Sequence, residues 1–210
     1  MNIAVRILIT AVAVAAALLL AARLGGLERR ARADVERARS LPPVFDYAAG
    51  PAAGNPGPGT VPAGDGWTDI PAAAPGTPVT DADIDALPEP ARRYFRHANV
   101  AGKPRISSFS VVLEGRIRNG PAEPWMPLVM RQFNRLDNPA RVVFLTSTKP
   151  PMNGIDSFLD GQGRMFIKAM NLVKVVDSRG PEMAVSAFVT FLNDLVLCPL
   201  GYFSLPIRWR

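Results

Sequence analysis

The chain has 210 residues, with 24 Lys or Arg, 18 Asp or Glu, one histidine and one cysteine, and a formal charge of +6. A single cysteine excludes an intramolecular disulfide, and one histidine with one cysteine cannot supply the four ligands of a His/Cys zinc site. Because the positive charge is scattered with little aromatic interleaving, we expect no nucleic-acid partner.

The first predicted element is an apolar helix near the N-terminus. Residues 7–22 are all apolar except Thr10, and residues 3–5 extend the apolar stretch across Arg6. About 20 residues suffice to cross a hydrocarbon core of roughly 30 Å. A cleaved signal peptide is the alternative. However, Arg23 follows almost at once and no clear cleavage site follows Leu20, which favours a retained single-pass membrane anchor.

A basic amphipathic segment, residues 23–39, follows the apolar stretch and suits the headgroup region of an anionic leaflet. We therefore assign residues 1–40 to a transmembrane anchor with a juxtamembrane helix and predict membrane lipid as a partner. The excess of arginine after the span favours a cytoplasmic position for the rest of the chain. A long linker without bases, on the other hand, is also common outside the cell.

Residues 41–79 are predicted to form a flexible linker. Of these 39 residues, 24 are Ala, Gly or Pro and none is Lys or Arg. Frequent proline denies the backbone regular hydrogen bonding, and few large apolar residues are present to offset the entropy of ordering.

Residues 80–210 are predicted to form a β-rich globular domain. Thr80 and Asp83 form a capping-box pattern, and Pro88 and Pro90 fit the start of a second short helix. From Ile106 onward the apolar residues alternate along successive short strands. Asp160-Gly161-Gln162-Gly163 predicts a hairpin turn. Residues 183–198 then form an apolar helix that is too short to span a membrane and suits packing against a sheet.

The fold class is therefore α+β: after the transmembrane helix and the linker comes a curved antiparallel sheet, with a few short helices and one apolar helix packed on it. A last strand begins at Leu205 and stops at the end of the chain, which suggests a domain truncated at its C-terminus.

The globular part resembles a family of uncharacterised bacterial membrane-anchored proteins, a domain of unknown function. The resemblance runs from Leu87 to Trp209. The motifs that carry it are Leu87-Pro88-Glu89-Pro90, Arg92-Arg93-Tyr94-Phe95-Arg96-His97, Asp160-Gly161-Gln162-Gly163-Arg164-Met165, Gly180-Pro181-Glu182 and Ile207-Arg208-Trp209. It implies architecture and anchoring but no activity. The strand order is also similar to the half-barrels of bacterial lipoprotein carriers, which is an analogy of fold only.

The sequence offers few residues for catalysis. His97 lies on an arginine-rich helix face, and no nucleophile motif accompanies it. Acidic residues that could gather in space are Asp156, Glu182 and Asp194, and a pair of them would allow acid–base chemistry. Phe188 and Phe191 are candidates to line an apolar pocket. We assign no catalytic residue, metal or cofactor.

Three functions stay open. The first is a module that binds lipid or another apolar ligand beside a membrane. The second is a hydrolase-like enzyme that uses the clustered carboxylates. The third is a membrane-associated scaffold whose protein partners are unknown. An enzyme is the less favoured of these interpretations.

Overall fold

The computed structural model describes residues 12, 14, 25–42, 68–70, 75–118, 120–205 and 207–209. The predicted membrane anchor therefore lies outside the described residues, apart from Val12 and Val14. None of the described helices combines the length and the apolar character that crossing a bilayer requires.

In chain order the elements are α1 (Gly26–Ser40), β1 (Thr68–Ile70), α2 (Asp81–Asp85), α3 (Glu89–His97), β2 (Ser108–Ile117), β3 (Met126–Arg135), β4 (Ala140–Thr148), β5 (Pro151–Leu159), β6 (Gln162–Ala169), β7 (Val173–Arg179), α4 (Pro181–Asp194), two 3₁₀ helices (Leu195–Leu197 and Pro199–Ser204) and β8 (Ile207–Trp209). Strands β2 to β7 form one six-stranded antiparallel sheet in chain order. The predicted α+β class and the antiparallel sheet are confirmed.

The turn between β5 and β6 shows why the strands pair in this register. Asp160 and Gly161 both have positive φ, 51° and 71°, the conformation that a two-residue hairpin connection requires. Leu159 then pairs with Gln162 directly across the turn. The hairpin predicted from this segment is therefore present.

Helix α1 packs on one face of the sheet, hereafter the α1 face. The helix buries Leu27 and Ala31 against Phe144 and Ile155, with Phe166 alongside. Towards its C-terminus a second cluster forms, comprising Ala38, Phe133 and Ala140 with Val35, Leu41 and Leu159 packed around them. The apolar stripe of α1 thus covers the sheet. The arginines of the helix, at positions 29, 30, 32, 37 and 39, are exposed.

Arg135 ties the C-terminus of α1 to the sheet. Its Nη1 atom donates to the backbone carbonyls of Ala38 and Arg39, at 2.8 and 2.6 Å. A cation at a helix C-terminus is stabilised by the unpaired carbonyls there. Asp137 holds the other edge of the same guanidinium, with its Oδ1 atom 2.5 Å from Nε. The helix therefore belongs to the folded body.

Helix α4 packs on the opposite face, hereafter the α4 face. A Cβ atom at Gly163 would lie 2.2 Å from the carbonyl oxygen of Met183, so the missing side chain lets the helix backbone approach β6. The predicted apolar helix, residues 183–198, is present as α4, but its last turns are 3₁₀ helix.

The short helices that precede the sheet agree with their sequence signals. Thr80 and Asp83 form a complete capping box at the start of α2, and Pro90 lies in the first turn of α3. Phe95 of α3 is fully buried against Phe203. A short strand that was not predicted, β1, lies within the segment assigned to the linker and pairs with β8.

Candidate functional site

The α4 face carries a buried ion cluster centred on Arg141. Its Nε atom donates to Asp194 at 2.6 Å, and its Nη1 atom donates to Asp156 at 2.5 Å. Gln132 Nε2 donates to the same oxygen of Asp194, also at 2.6 Å. The side chains of Arg141, Asp156 and Asp194 are only 6%, 14% and 15% exposed. Two of the three carboxylates that could gather in space, those of Asp156 and Asp194, therefore bind the same guanidinium.

The register of the strands explains why these side chains lie together. Gln132 pairs with Val143, and Val143 pairs with Asp156, so these side chains share one face of the sheet. Arg141 lies two residues before Val143 and points the same way. Asp194, the last residue of α4, brings the second carboxylate onto this face from above.

Glu182 does not join the cluster. It is exposed in the first turn of α4, at the opposite end of the helix from Asp194. Twelve residues of helix separate the two by about 18 Å at 1.5 Å per residue. Glu182 is well placed to interact with the N-terminal end of the helix dipole, which accounts for an acid there.

The geometry of the cluster is that of a structural ion triad. One guanidinium donates to an Oδ2 atom of each carboxylate, so the charges of the cluster are paired with one another. Catalytic carboxylate pairs instead place one ionised and one protonated group in different environments facing a substrate. Among the described residues, no group of three His, Cys, Asp or Glu side chains is arranged to hold a metal ion. The only histidine, His97, is exposed.

A further polar side chain, that of Asn134, lies buried beside the triad. It pairs across the strands with Phe109 on one side and Arg141 on the other, which places it on the α4 face. It is 0% exposed, and neither polar atom of its amide has a hydrogen-bond partner among the described residues. Sequence reasoning missed Gln132, Asn134 and Arg141. The signal in the sequence was that all three lie at inward-facing positions of strands, in which successive side chains point to opposite faces.

The two predicted pocket phenylalanines differ in their surroundings. Phe191 is fully buried in a cluster with Leu136, Leu195 and Leu205 and is part of the core. Phe188 is 38% exposed and stacks on Phe191, with ring centroids 6.0 Å apart. Phe188 therefore lies at the edge of the covered region.

Beyond α4, the same face carries an apolar row that crosses the sheet from edge to edge. Its members, which pair in sequence across the strands, are Leu113, Met130, Leu145, Gly154, Ile167 and Val176. A Cβ atom at Gly154 would lie 2.8 Å from Leu145 and 3.0 Å from Ile167, so these two side chains close over the glycine. The five side chains of the row are half-buried, which leaves apolar surface accessible.

The fold is thus an antiparallel meander with a helix on each face, and its notable surface is an apolar row beside a buried ion triad. The chain belongs to the Family of unknown function (DUF6544), whose model matches residues 77–210. The predicted membership of an uncharacterised domain family is confirmed, whereas membrane anchoring and bacterial origin stay predictions. No curated protein and no solved structure matches the chain.

Proposed function

We propose that the domain binds an apolar ligand, a lipid acyl chain, along the apolar row of the α4 face. The observation that carries the proposal is that five strands contribute half-buried apolar side chains to one continuous row. Accessible apolar surface of this kind is typical of ligand sites, which combine an apolar lining with a few polar groups.

The ion triad favours binding over catalysis. Its charges are paired with one another rather than presented to a substrate, and it fixes the C-terminus of α4 on the sheet. Helix α4 covers this face at Gly163, four residues from Ile167 of the row, and we propose that it forms one wall of the site. Such a wall is useful in a binding site because a preformed site loses little conformational entropy when the ligand enters.

Photocrosslinking of the full chain in membranes tests this proposal. With a diazirine-labelled fatty acid, we expect crosslinks on peptides from β2, β3, β4, β6 and β7 that contain members of the row. Leu113→Asn should remove most of them, because it places an amide within the apolar row. Val112→Asn is the matched control, since Val112 is the neighbouring residue, is 60% exposed and points to the other face.

Crosslinks confined to residues 7–22, or equal crosslinking of both variants, would contradict acyl-chain binding. Thermal unfolding followed by circular dichroism checks that both variants are folded.

We also propose that residues 7–22 anchor the chain in a membrane as a single-pass segment. The support is the length and apolar character of this stretch and the arginines that follow it. Washing cell membranes with alkaline carbonate should leave the chain in the pellet, and its N-terminus should precede residue 7. A mature chain that begins after Ala22 would refute the anchor.

A further inference from the structure

The two ends of the sheet differ in chemistry. Three hairpin connections, β2–β3, β4–β5 and β6–β7, lie at one end, which we call the loop end and define as residues 115–128, 146–153 and 168–175. These residues include five Lys or Arg and one acid, Glu123. With matching flanks, the turns at the other end, residues 133–142, 157–164 and 177–182, include four acids and four arginines, so their charges balance.

The loop end also exposes large apolar side chains. Trp125 is 54% exposed and Ile117 is 46% exposed at the β2–β3 connection. The β6–β7 connection exposes Met170 by 56%, Leu172 by 43% and Val173 by 58%. Exposed apolar residues clustered with bases, including a tryptophan, are typical of surfaces that enter the interface of a bilayer.

The bases of the loop end are placed to bind anions. Lys149 and Lys174 are exposed, and neither forms an ion pair with a described residue. Arg118 lies over the ring of Trp125, with its Cζ atom 4.7 Å from the ring centroid. By contrast, two acids of the opposite end are engaged: Asp137 by Arg135 and Asp160 by Arg37.

The direction of α1 relates the loop end to the proposed anchor. The C-terminus of α1 lies at the end of the sheet opposite the loop end, where Arg135 binds the carbonyl of Ala38. Its first buried residue, Leu27, packs on Phe144 and Ile155, further along the strands. The N-terminus of α1 therefore points towards the loop end.

The distance from the anchor to this helix is short. Residue 22 ends the apolar stretch and Gly26 begins α1. Four residues span at most about 14 Å when fully extended. If residues 7–22 cross a bilayer, the first turn of α1 lies within that distance of the bilayer surface.

From these observations we infer that the loop end is a docking surface for an anionic membrane. Trp125, Met170 and Leu172 enter the boundary between headgroups and acyl chains, and Lys149 and Lys174 bind lipid phosphates. This inference rests on the proposed membrane anchor, which it deepens by assigning the face of the domain that meets the bilayer. The attraction is electrostatic as well as apolar, so it requires anionic lipid.

Quenching of Trp125 by brominated lipid tests the inference in the full chain reconstituted into vesicles. Trp67→Phe and Trp209→Phe leave Trp125 as the one tryptophan. Vesicles that contain anionic phosphatidylglycerol should quench Trp125 strongly, and vesicles of phosphatidylcholine alone should quench it weakly. Lys149→Glu with Lys174→Glu should reduce the quenching in anionic vesicles to the phosphatidylcholine level.

The matched control reverses two exposed bases away from the loop end, Lys103→Glu with Arg93→Glu, and should leave the quenching unchanged. An anchored chain whose Trp125 is unquenched, or is quenched equally after either pair of reversals, would overturn the docking surface. A chain that carbonate removes from the vesicles would instead refute the anchor itself. Circular dichroism of each variant verifies the fold.

Discussion

At the scale of single residues, the buried charges of the α4 face are the most informative feature. Arg141 is held between two carboxylates under the last turn of α4, and each of the three side chains is at least 85% removed from solvent. Charges buried in this way depend on one another, because an unpaired buried ion loses hydration without recovering an equivalent interaction.

We therefore expect Arg141→Met to lower the free energy of unfolding by about 3–5 kcal/mol, since it leaves Asp156 and Asp194 as adjacent buried anions. Urea denaturation followed by circular dichroism measures this change. Arg93→Met, at a side chain that is 77% exposed, should have an effect below about 0.5 kcal/mol.

Replacing the whole triad distinguishes ion pairing from simple packing. The triple variant Arg141→Met, Asp156→Leu and Asp194→Leu should recover much of the lost stability, because no buried charge then lacks a partner. If the triple variant were less stable than Arg141→Met alone, electrostatic compensation would not explain the cluster.

Asp83 gives a prediction about pH. Partial burial acts to raise the pKa of Asp83, but hydrogen bonds from the side chain and backbone of Thr80 and the nearby Arg105 outweigh it, so this pKa is lowered. A carboxyl group with a lowered pKa in the folded state stabilises the fold above its ordinary pKa. That stabilisation is lost as pH falls through the lowered value.

Asp83→Asn should therefore cost at least about 1 kcal/mol at pH 7, because it weakens the helix cap and removes the carboxylate that pairs with buried Arg105. The difference from the natural chain should shrink as the pH is lowered through the acidic range. Denaturation curves at several pH values measure this. Exposed Asp81, which lies outside the capping box, provides the control as Asp81→Asn.

At the scale of elements, several features could be predicted because their signals are local. The capping box of Thr80 and Asp83 and the turn at Asp160 and Gly161 each depend on residues a few positions apart. The apolar composition of α4 likewise predicts burial against a sheet. The structure contains all three, with 3₁₀ geometry in the last turns of the predicted apolar helix.

The residues that contact α1 and Arg141 could not be predicted, because they lie far from these elements along the chain. An amphipathic helix rich in arginine is compatible with a lipid headgroup region or with a sheet, and its sequence contains no information about which surface its apolar stripe meets. Likewise, Arg141 is the second residue of β4, and the alternation along that strand does not show that Asp156 and Asp194 lie beside it. The helix that follows the proposed anchor thus packs on the domain.

Leu27→Ala tests whether α1 contributes to the stability of the domain. Because Leu27 is 5% exposed and packs on Phe144 and Ile155, we expect a loss of about 2–4 kcal/mol in the free energy of unfolding. A helix that contacted only lipid would give no such change. Arg32→Ala, on the exposed side of α1, should leave the stability within about 0.5 kcal/mol.

At the scale of the whole molecule, the apolar row and the loop end are neighbours. Ile167 of the row is three residues from Met170, a distance of about 10 Å along a strand. A domain that docks its loop end on a bilayer would therefore bring the open side of the row close to the acyl chains. The two proposals together predict that an apolar ligand enters directly from the membrane.

If docking of the loop end brings the ligand to the apolar row, one further prediction follows. In anionic vesicles that contain a photoreactive lipid, Lys149→Glu with Lys174→Glu should reduce crosslinking at Leu113 and Ile167 at least several-fold. Each base near an anionic leaflet contributes about 1 kcal/mol to membrane binding. Crosslinks within residues 7–22 should be unchanged, because the anchor remains inserted. If crosslinking at the row persisted undiminished, the ligand would reach its site by a route independent of the loop end.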